Sequence, residues 1–434
     1  MTEKRAAISY WDVVAIGIGG MVGGGIFAVL GLAVQTARGG TPLAFLLAGT
    51  VALLTSYSYA RLSVTYPSQG GTVEFLLHGF GPGVVAGSLN VLLWLSYVVM
   101  LSLYAYAFGS YGATFFAAAA QPFWKHVLIS GVAVALTLLN IRGARIVGMA
   151  EEWIVGFKLL ILLFFVGVGI WGIDPARLAP GQWSDPVSLV AGGMLIFLAY
   201  EGFELIANTA EDVGDPSRVL PKAYFTAVVA VIVLYVLVSL VTVGSLPVAK
   251  ILSARDYALA ESARPALGHV GFVLITIAAL LSTSSAINAT LYGAARISYV
   301  IAKDGELPEV FERKVWQRPI GGLLLTSGLT LLVSNLFDLS SISLMGSAGF
   351  LLIFTAVNLA NARLHRRTAS RRWLALTGAA ACGAALATLV AHAAGTGGHV
   401  WVLAFMVGGA LVTELLYQRI SGRTLRLRVA NHGP

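Results

Sequence analysis

The sequence predicts an all-α integral membrane protein that crosses the bilayer twelve times. Composition, the length of the apolar segments and the distribution of positive charge all support this class. Of the 434 residues, 57% are hydrophobic and only 11% are charged, and the mean hydropathy is +0.83. A soluble domain carries about 25% charged residues. With so few charges, bilayer hydrocarbon rather than water must surround most of the surface.

Twelve apolar segments are long enough to span a bilayer, which takes about 20 residues. They are numbered here as spans 1 to 12 in chain order: 11–36, 43–64, 84–117, 125–141, 151–173, 187–208, 221–244, 268–301, 321–337, 340–362, 373–392 and 399–418. The polar start of the chain precedes an apolar run that is too long and too glycine-rich for a signal peptide. We therefore expect the first run to be retained as span 1.

Positive charge sets the orientation of these spans. If both termini face the cytoplasm, 21 of the 28 Lys and Arg residues lie on the cytoplasmic side and 6 lie outside, and Lys158 alone falls within a span. This asymmetry follows the positive-inside rule and predicts a multi-pass protein of the cytoplasmic membrane with both termini inside. Because the basic residues are dispersed over separate short loops, they indicate topology rather than nucleic-acid binding.

The residue types present argue against several chemistries. The single cysteine, Cys382, excludes an intramolecular disulfide and a cysteine-based metal site. The seven histidines show no metal-ligand spacing, and no phosphate-binding glycine–lysine motif is present. We find no nucleophile, base or metal constellation of the kind that an enzyme requires. The sequence thus predicts neither an enzyme nor a bound cofactor or metal, and it says nothing about oligomeric state.

Span 1 contains an unusual concentration of glycine. Gly19 and Gly20 precede an uninterrupted triplet, Gly23, Gly24 and Gly25, which is followed by Ile26. Each glycine costs about 1 kcal/mol relative to alanine in a helix interior, so the triplet predicts an interruption. The alternative is close helix packing through small residues.

Span 6 carries the second predicted interruption. Gly192 and Gly193 are followed by a segment that includes Tyr200, Glu201, Gly202, Phe203 and Glu204. Carboxylates at membrane depth are costly and usually functional. Spans 1 and 6 correspond if the first ten spans form two units of five, the second inverted because five is odd. Glycine-interrupted segments at corresponding places point to a transporter site.

The two interruptions predict a site for a zwitterion. An unwound helix leaves main-chain N–H and C=O groups that need partners, and the start of the continuing half-helix carries partial positive charge. Residues 23–27 could therefore bind a carboxylate, and carbonyl groups near Gly19, Gly20 and residues 197–201 could bind an ammonium group. Phe197 and Phe203 flank the second interruption, where they either close over a substrate or pack in the core.

Longer matches extend this interpretation. The glycine-rich span ending in Gly25, Ile26 and Phe27, the Tyr200-x-Gly202-Phe203 motif, Lys158, and the runs 284–293 and 302–316 together resemble the amino acid–polyamine–organocation superfamily of transporters. The similarity runs from about residue 8 to residue 420 and is greatest to archaeal proton-coupled members of broad specificity.

That resemblance implies a LeuT-type fold with alternating access. The divisions would be a cytoplasmic segment 1–10, a first five-helix repeat 11–173, an inverted repeat 187–362, a peripheral pair 373–418 and a cytoplasmic tail 419–434. It also implies a substrate held between spans 1, 3, 6 and 8. In Na⁺-coupled relatives a cation lies between spans 1, 5 and 8, and in the proton-coupled members a lysine amine takes its place.

Lys158 is the candidate for that amine. Burial disfavours the charged form of a lysine, so the amine could exchange a proton between conformations, near the Gly19 carbonyl and the hydroxyls of Ser282 and Ser285. The alternative is that the side chain lies along apolar surface and reaches the cytoplasmic interface. The resulting expectation is H⁺ coupling without Na⁺, with an electroneutral amino acid or polyamine exchanger, or a channel, as alternatives.

Glu201 departs from the pattern of the archaeal proton-coupled transporters that the chain resembles most, in which an uncharged residue occupies the interruption. Three roles remain open from the sequence: contact with a cationic substrate side chain, a share in proton transfer, or a hydrogen bond to main-chain N–H groups released by the interruption.

Overall fold

The computed structural model describes residues 8–142, 147–303, 314–315, 318–397 and 400–421. This part of the chain is helical except for connecting loops and a hairpin of two-residue strands, β1 (Lys314–Val315) and β2 (Arg318–Pro319). The loop that carries much of the run 302–316, the start of the N-terminal segment and most of the C-terminal tail lie outside the described residues.

The α-helices follow the order of the predicted spans. The first eight are α1 (Tyr10–Met21), α2 (Gly25–Ala37), α3 (Thr41–Thr65), α4 (Thr72–Phe80), α5 (Val84–Ala113), α6 (Gln121–Arg142), α7 (Val147–Gly169) and α8 (Pro175–Leu178). The others are α9 (Pro186–Leu195), α10 (Pro216–Ser245), α11 (Val248–Ser253), α12 (Ala258–Ser262), α13 (Arg264–Lys303), α14 (Ile320–Leu336), α15 (Leu339–Arg363), α16 (Arg372–Gly395) and α17 (Trp401–Ser421).

The all-α membrane class is confirmed. Eight helices in the described part of the chain are long and apolar enough to cross a bilayer, and two bent pairs raise the number to ten. Spans 9 and 12 correspond to the shorter apolar helices Ile320–Leu336 and Trp401–Leu416. The exact count of twelve crossings therefore stays a prediction.

Both bent pairs fall on the predicted interruptions. In span 1, α1 and α2 meet at 49°, and in span 6, α9 meets the 3-10 segment Phe197–Asp212 at 46°. A capping box between Ser9 and Asp12 begins α1. Val22, Gly23 and Gly24 separate α1 from α2, which begins at Gly25. The two interruptions are present where the sequence concentrates glycine and carboxylate.

One part of the span 6 prediction was wrong. Gly192 and Gly193 are helical residues of α9 and do not interrupt it. A Cβ on Gly193 would lie 2.6 Å from the Ala44 carbonyl oxygen, so this glycine permits close packing against α3. The interruption begins at Ile196, where α9 ends and the 3-10 helix Phe197–Tyr200 starts. A second break, at Glu201 and Gly202, separates this 3-10 helix from the next one, Phe203–Asp212.

The interrupted spans lie inside a bundle. Helices α5 and α15 are largely buried, whereas α6, α7 and α16 are mostly exposed to the surroundings of the protein. Helix α3 packs on α10, and α5 packs on α13, so spans of the two halves alternate in the core. Helices α16 and α17 pack on the outside of the bundle. Helix α16 contacts α15, α3 and α9, and α17 contacts α5 and α15.

Candidate functional site

The two interruptions meet at the centre of the bundle. Gly202 has φ +119°, the left-handed region that favours glycine. A Cβ on Gly20 would lie 2.7 Å from the Gly202 carbonyl oxygen, and a Cβ on Gly25 would lie 2.9 Å from Cα of Ala199. Glycine is therefore required where the backbones of spans 1 and 6 touch.

Side chains from other spans bind the carbonyl groups of span 1. Lys158 Nζ donates to the Gly19 oxygen over 3.1 Å, and Ser282 Oγ donates to the Gly23 oxygen over 2.8 Å. The Tyr235 hydroxyl donates to the Met21 oxygen over 2.7 Å. Spans 5, 7 and 8 thus supply the polar partners that an interrupted helix in a membrane needs.

The Lys158 side chain is buried, with 2% of its surface exposed. It projects from α7 toward the interruption in span 1 rather than along the protein surface to an interface. The structure therefore brings Lys158 and Gly19 together. Ser282 of α13 contacts the same interruption in span 1 but donates to Gly23 instead of Gly19. Ser285 is buried one turn farther along α13.

Span 6 shows a related arrangement with span 10. Ser343 Oγ and Ser347 Oγ both donate to the Leu195 oxygen, over 2.6 and 2.8 Å. Ser347 Oγ also accepts from the main-chain N–H of Leu198, over 3.1 Å. Span 5 therefore supports the interruption in span 1, and span 10 supports the interruption in span 6.

The start of α2 is suited to an anion. Its N-cap is Gly24, and within the described chain no side chain caps this terminus. The first N–H groups of a helix have no partner inside the helix, so those around Gly25 and Ile26 point toward the interruption. Tyr104 of α5 borders this place, because a Cβ on Gly23 would lie 3.1 Å from its hydroxyl oxygen.

The two glutamates of span 6 lie side by side in the core. Glu201 and Glu204 are 4% and 1% exposed, and their carboxyl groups are near enough to hydrogen-bond. Glu204 accepts from the Gly202 N–H over 2.7 Å and from the Tyr97 hydroxyl over 3.3 Å. The main-chain hydrogen bond considered for Glu201 is thus made by Glu204.

Three aromatic residues predicted for the site are buried against other side chains. Tyr200 donates to the Phe45 oxygen of α3 over 2.8 Å, which directs its hydroxyl away from the interruption. Phe197 and Phe203 both pack edge-on or tilted against Phe354, at centroid distances of 5.9 and 5.2 Å. Their contacts are those of core residues.

Sequence reasoning missed Tyr104, Tyr235, Ser343 and Ser347. Tyr235 also lies 3.3 Å from the Ala199 oxygen, so one hydroxyl contacts both interrupted spans. No local motif distinguishes these residues. The only available signal was their position in spans 3, 7 and 10, opposite the predicted interruptions.

A charged cluster covers span 1 at the end of the bundle that the sequence predicts to face outward. Lys125 and Arg255 contact Asp256 over 3.0 and 3.1 Å, and Tyr106 donates to it over 3.3 Å. Burial raises the pKa of Asp256, but Lys125 and Arg255 outweigh this effect and hold the pKa below its ordinary value. We call these four residues the outer latch. Arg255 packs through its main chain directly on Gly31 of α2.

Comparison with known proteins places this geometry in a family. The family model for amino acid permeases matches residues 8–413. The chain belongs to the amino acid permease family. It is accordingly a multi-pass membrane transporter of amino acids or related substrates.

Several relatives of this permease extend over most of its length. It is 35% identical to an uncharacterized protein of Methanocaldococcus jannaschii over 427 residues, 98% of either chain. It is 35% identical to an inner membrane transport protein of Escherichia coli over 360 residues, 82% of this chain and 83% of the relative. A methylthioribose transporter of Bacillus subtilis is 26% identical over 377 residues, 81% of this chain and 80% of the relative.

Proposed function

We propose that this permease is a secondary active transporter of amino acids that works by alternating access, coupled to H⁺ and independent of Na⁺. The observation that carries the proposal is the contact between Lys158 and Gly19. A buried amine donates to a carbonyl group of span 1 at its interruption. An amine at this place can gain and lose a proton.

The substrate would bind between the two interruptions. Its carboxylate would accept hydrogen bonds from the N–H groups at the start of α2, near Gly23, Gly24, Gly25 and Ile26, where the helix dipole favours an anion. Its ammonium group would bind carbonyl oxygens of the facing segments. Tyr104, which borders Gly23 and Gly24, would have to move or pack against the bound amino acid.

Lys158 would act as the proton carrier through its hydrogen bond to the Gly19 carbonyl of span 1. In its charged form the amine needs strong acceptors because a buried charge without partners is costly. The Gly19 oxygen supplies one such acceptor as long as α1 lies against α7. When α1 moves away during alternation, that contact is lost and the charged form is disfavoured, so the proton leaves on the side to which the site then opens.

The same contacts support coupling to H⁺ rather than to Na⁺. The carbonyl oxygens of Gly19 and Gly23 already accept from Lys158 and Ser282. A sodium ion held by these oxygens would have to displace an amine and a hydroxyl group. The protonated amine would supply the positive charge that Na⁺ supplies elsewhere.

We further propose an inverted repeat of two five-span units, residues 11–173 and 187–362, with the peripheral pair 373–418. Support comes from the paired roles of spans 5 and 10 toward the interruptions in spans 1 and 6. The excess of Lys and Arg on one side supports a cytoplasmic location for both termini in the cell membrane.

Uptake into Na⁺-free proteoliposomes tests the proposal. An inward proton gradient should drive accumulation of a transported amino acid, and Lys158→Ala should remove the effect of the gradient while amino acid binding persists. Lys250→Ala is the matched control, because Lys250 lies in the outer loop and is largely exposed.

Two results would separate this mechanism from its alternatives. An obligate exchanger would take up labelled amino acid only when amino acid is present inside, whatever the proton gradient. A channel would show neither saturation nor counterflow. A strict requirement for Na⁺ would end the proposal.

A further inference from the structure

The acidic pair Glu201 and Glu204 is not used by the Lys158 mechanism. Both side chains are more than nine-tenths buried, and both carboxyl groups lie in the interruption of span 6. Two adjacent carboxylates in a dry site repel each other strongly, so such a pair normally retains a proton.

In the described part of the chain, the pair is surrounded by tyrosines rather than by ion-pairing partners. Among the described residues, none of the Lys or Arg ion pairs involves Glu201 or Glu204. Among the residues with a described position, the titratable side chains that interact with the pair are tyrosines of spans 2, 3 and 7: Tyr59, Tyr97, Tyr104 and Tyr224. A proton or a cationic ligand at the pair would balance its negative charge.

The two glutamates differ in their hydrogen bonds. Glu204 is fixed by the Gly202 N–H and the Tyr97 hydroxyl. Glu201 accepts no hydrogen bond from a described N–H or hydroxyl group, and it lies in the chain between Ala199 and Gly202, the residues that pack on Gly25 and Gly20 of span 1. Glu201 is thus the member of the pair whose chain neighbours pack on span 1, next to the start of α2.

We propose that Glu201, with Glu204 beside it, is the subsite for a cationic substrate side chain. When the substrate is neutral, the acidic pair holds a proton where the cationic group would otherwise bind. The inference rests on the proposed function, because it assumes that the carboxylate of the substrate binds at the start of α2. It assigns lysine-like and arginine-like amino acids to the substrate range.

The exchange balances in charge. When a cationic side chain arrives, one O–H bond of the acidic pair breaks and the proton leaves to the aqueous side that the site faces. The side chain then donates an N–H hydrogen bond to the carboxylate that remains. A neutral amino acid leaves the proton on the pair, so the net charge of the loaded site is the same for both substrate classes.

Calorimetric titration of the purified permease tests this exchange. Arginine and leucine are titrated at one pH in two buffers of different ionisation enthalpy, and the difference in heat gives the protons released. We expect arginine to release up to about one proton per molecule bound and leucine to release none. This comparison needs no variant protein.

Variants then locate the effect. Glu201→Gln should weaken arginine binding about tenfold to hundredfold, the loss expected for a charged hydrogen bond, and should abolish proton release while leucine binding persists. Glu201→Asp should retain both arginine binding and proton release. Glu414→Gln, which removes a buried carboxyl group of the peripheral helix α17, is the matched control.

The outcomes are distinct. The inference is wrong if arginine does not bind, or if it binds without releasing a proton. It is also wrong if arginine binds Glu201→Gln as tightly as it binds the parent chain. If the parent chain binds neither leucine nor arginine, the proposed function itself fails.

Discussion

A hydrogen bond of 2.7 Å joins the hydroxyl of Tyr235 to the main-chain oxygen of Met21. The bond connects α10 to the end of α1, and the same hydroxyl lies 3.3 Å from the Ala199 oxygen of span 6. One side chain therefore satisfies carbonyl groups on both interrupted spans. Any motion of α1 away from α10 has to break this bond.

Replacing Tyr235 tests its role in holding the two spans. Tyr235→Phe leaves two buried carbonyl groups without this donor, which costs about 1–3 kcal/mol for an unsatisfied group. We expect a lower thermal unfolding temperature in detergent and slower uptake. Tyr10→Phe removes a hydroxyl that bonds Thr226 outside the interruptions and should change uptake little. Equal uptake by Tyr235→Phe and the parent chain would show that the bond does not matter to transport.

Gly202 should not tolerate a side chain. Its φ of +119° is unfavourable for alanine, and a Cβ there would lie 2.5 Å from the main-chain nitrogen of Met21. Strain of this kind costs about 1–3 kcal/mol, and forced overpacking adds a similar amount. Gly202→Ala should lower the unfolding temperature and abolish substrate-induced stabilisation, as measured by thermal shift.

Gly131→Ala is the control for Gly202. A Cβ on Gly131 would meet no atom within 4 Å, so this variant should unfold and bind like the parent chain. If the two variants behave alike, the close approach of spans 1 and 6 is not needed for binding.

Two serines of span 8 give a matched pair. Ser282 donates across to the Gly23 oxygen of span 1, whereas Ser284 donates back to the Leu280 oxygen of its own helix over 2.7 Å. Ser282→Ala should weaken amino acid binding about fivefold to tenfold, corresponding to one lost hydrogen bond of about 1 kcal/mol. Ser284→Ala should have little effect. Binding isotherms that rank the two variants in the opposite order would contradict the site.

The outer latch should be insensitive to pH in the physiological range. Lys125 and Arg255 hold the pKa of the Asp256 carboxyl below its ordinary value, so its ion pairs stabilise the closed loop at neutral pH and are lost only as the pH falls through that lowered pKa. A reporter cysteine at buried Leu259 should label equally slowly at pH 5 and pH 8. Asp256→Asn should speed its labelling at pH 7, and a marked increase at pH 5 in the unaltered latch would contradict this assignment.

The sequence was informative where a feature is local. Glycine weakens a helix wherever the helix lies, so the triplet at 23–25 located the interruption in span 1 correctly. Glu201 and Gly202 did the same in span 6. Gly192 and Gly193 misled the prediction because glycine also serves close helix packing, and only tertiary context distinguishes the two uses.

The polar partners of the interruptions could not be predicted in the same way. Tyr235 lies 214 residues from Met21, and Ser347 lies 152 residues from Leu195. A hydroxyl in an apolar segment most often bonds its own helix, as Ser284 does, so its sequence context does not reveal a cross-span bond. The segment predicted to extend to residue 117 ended at Ala113, because Phe115 and Phe116 continue the apolar run without continuing the helix.

Proton movement driven by an amino acid gradient tests the central claim most directly. Na⁺-free proteoliposomes with a trapped pH dye and no initial pH gradient receive a transported amino acid on the outside. We expect the lumen to acidify as the amino acid enters, and we expect Lys158→Ala to bind the amino acid without acidifying the lumen. Uptake with no change in luminal pH, or equal acidification in Lys158→Ala, would contradict the account.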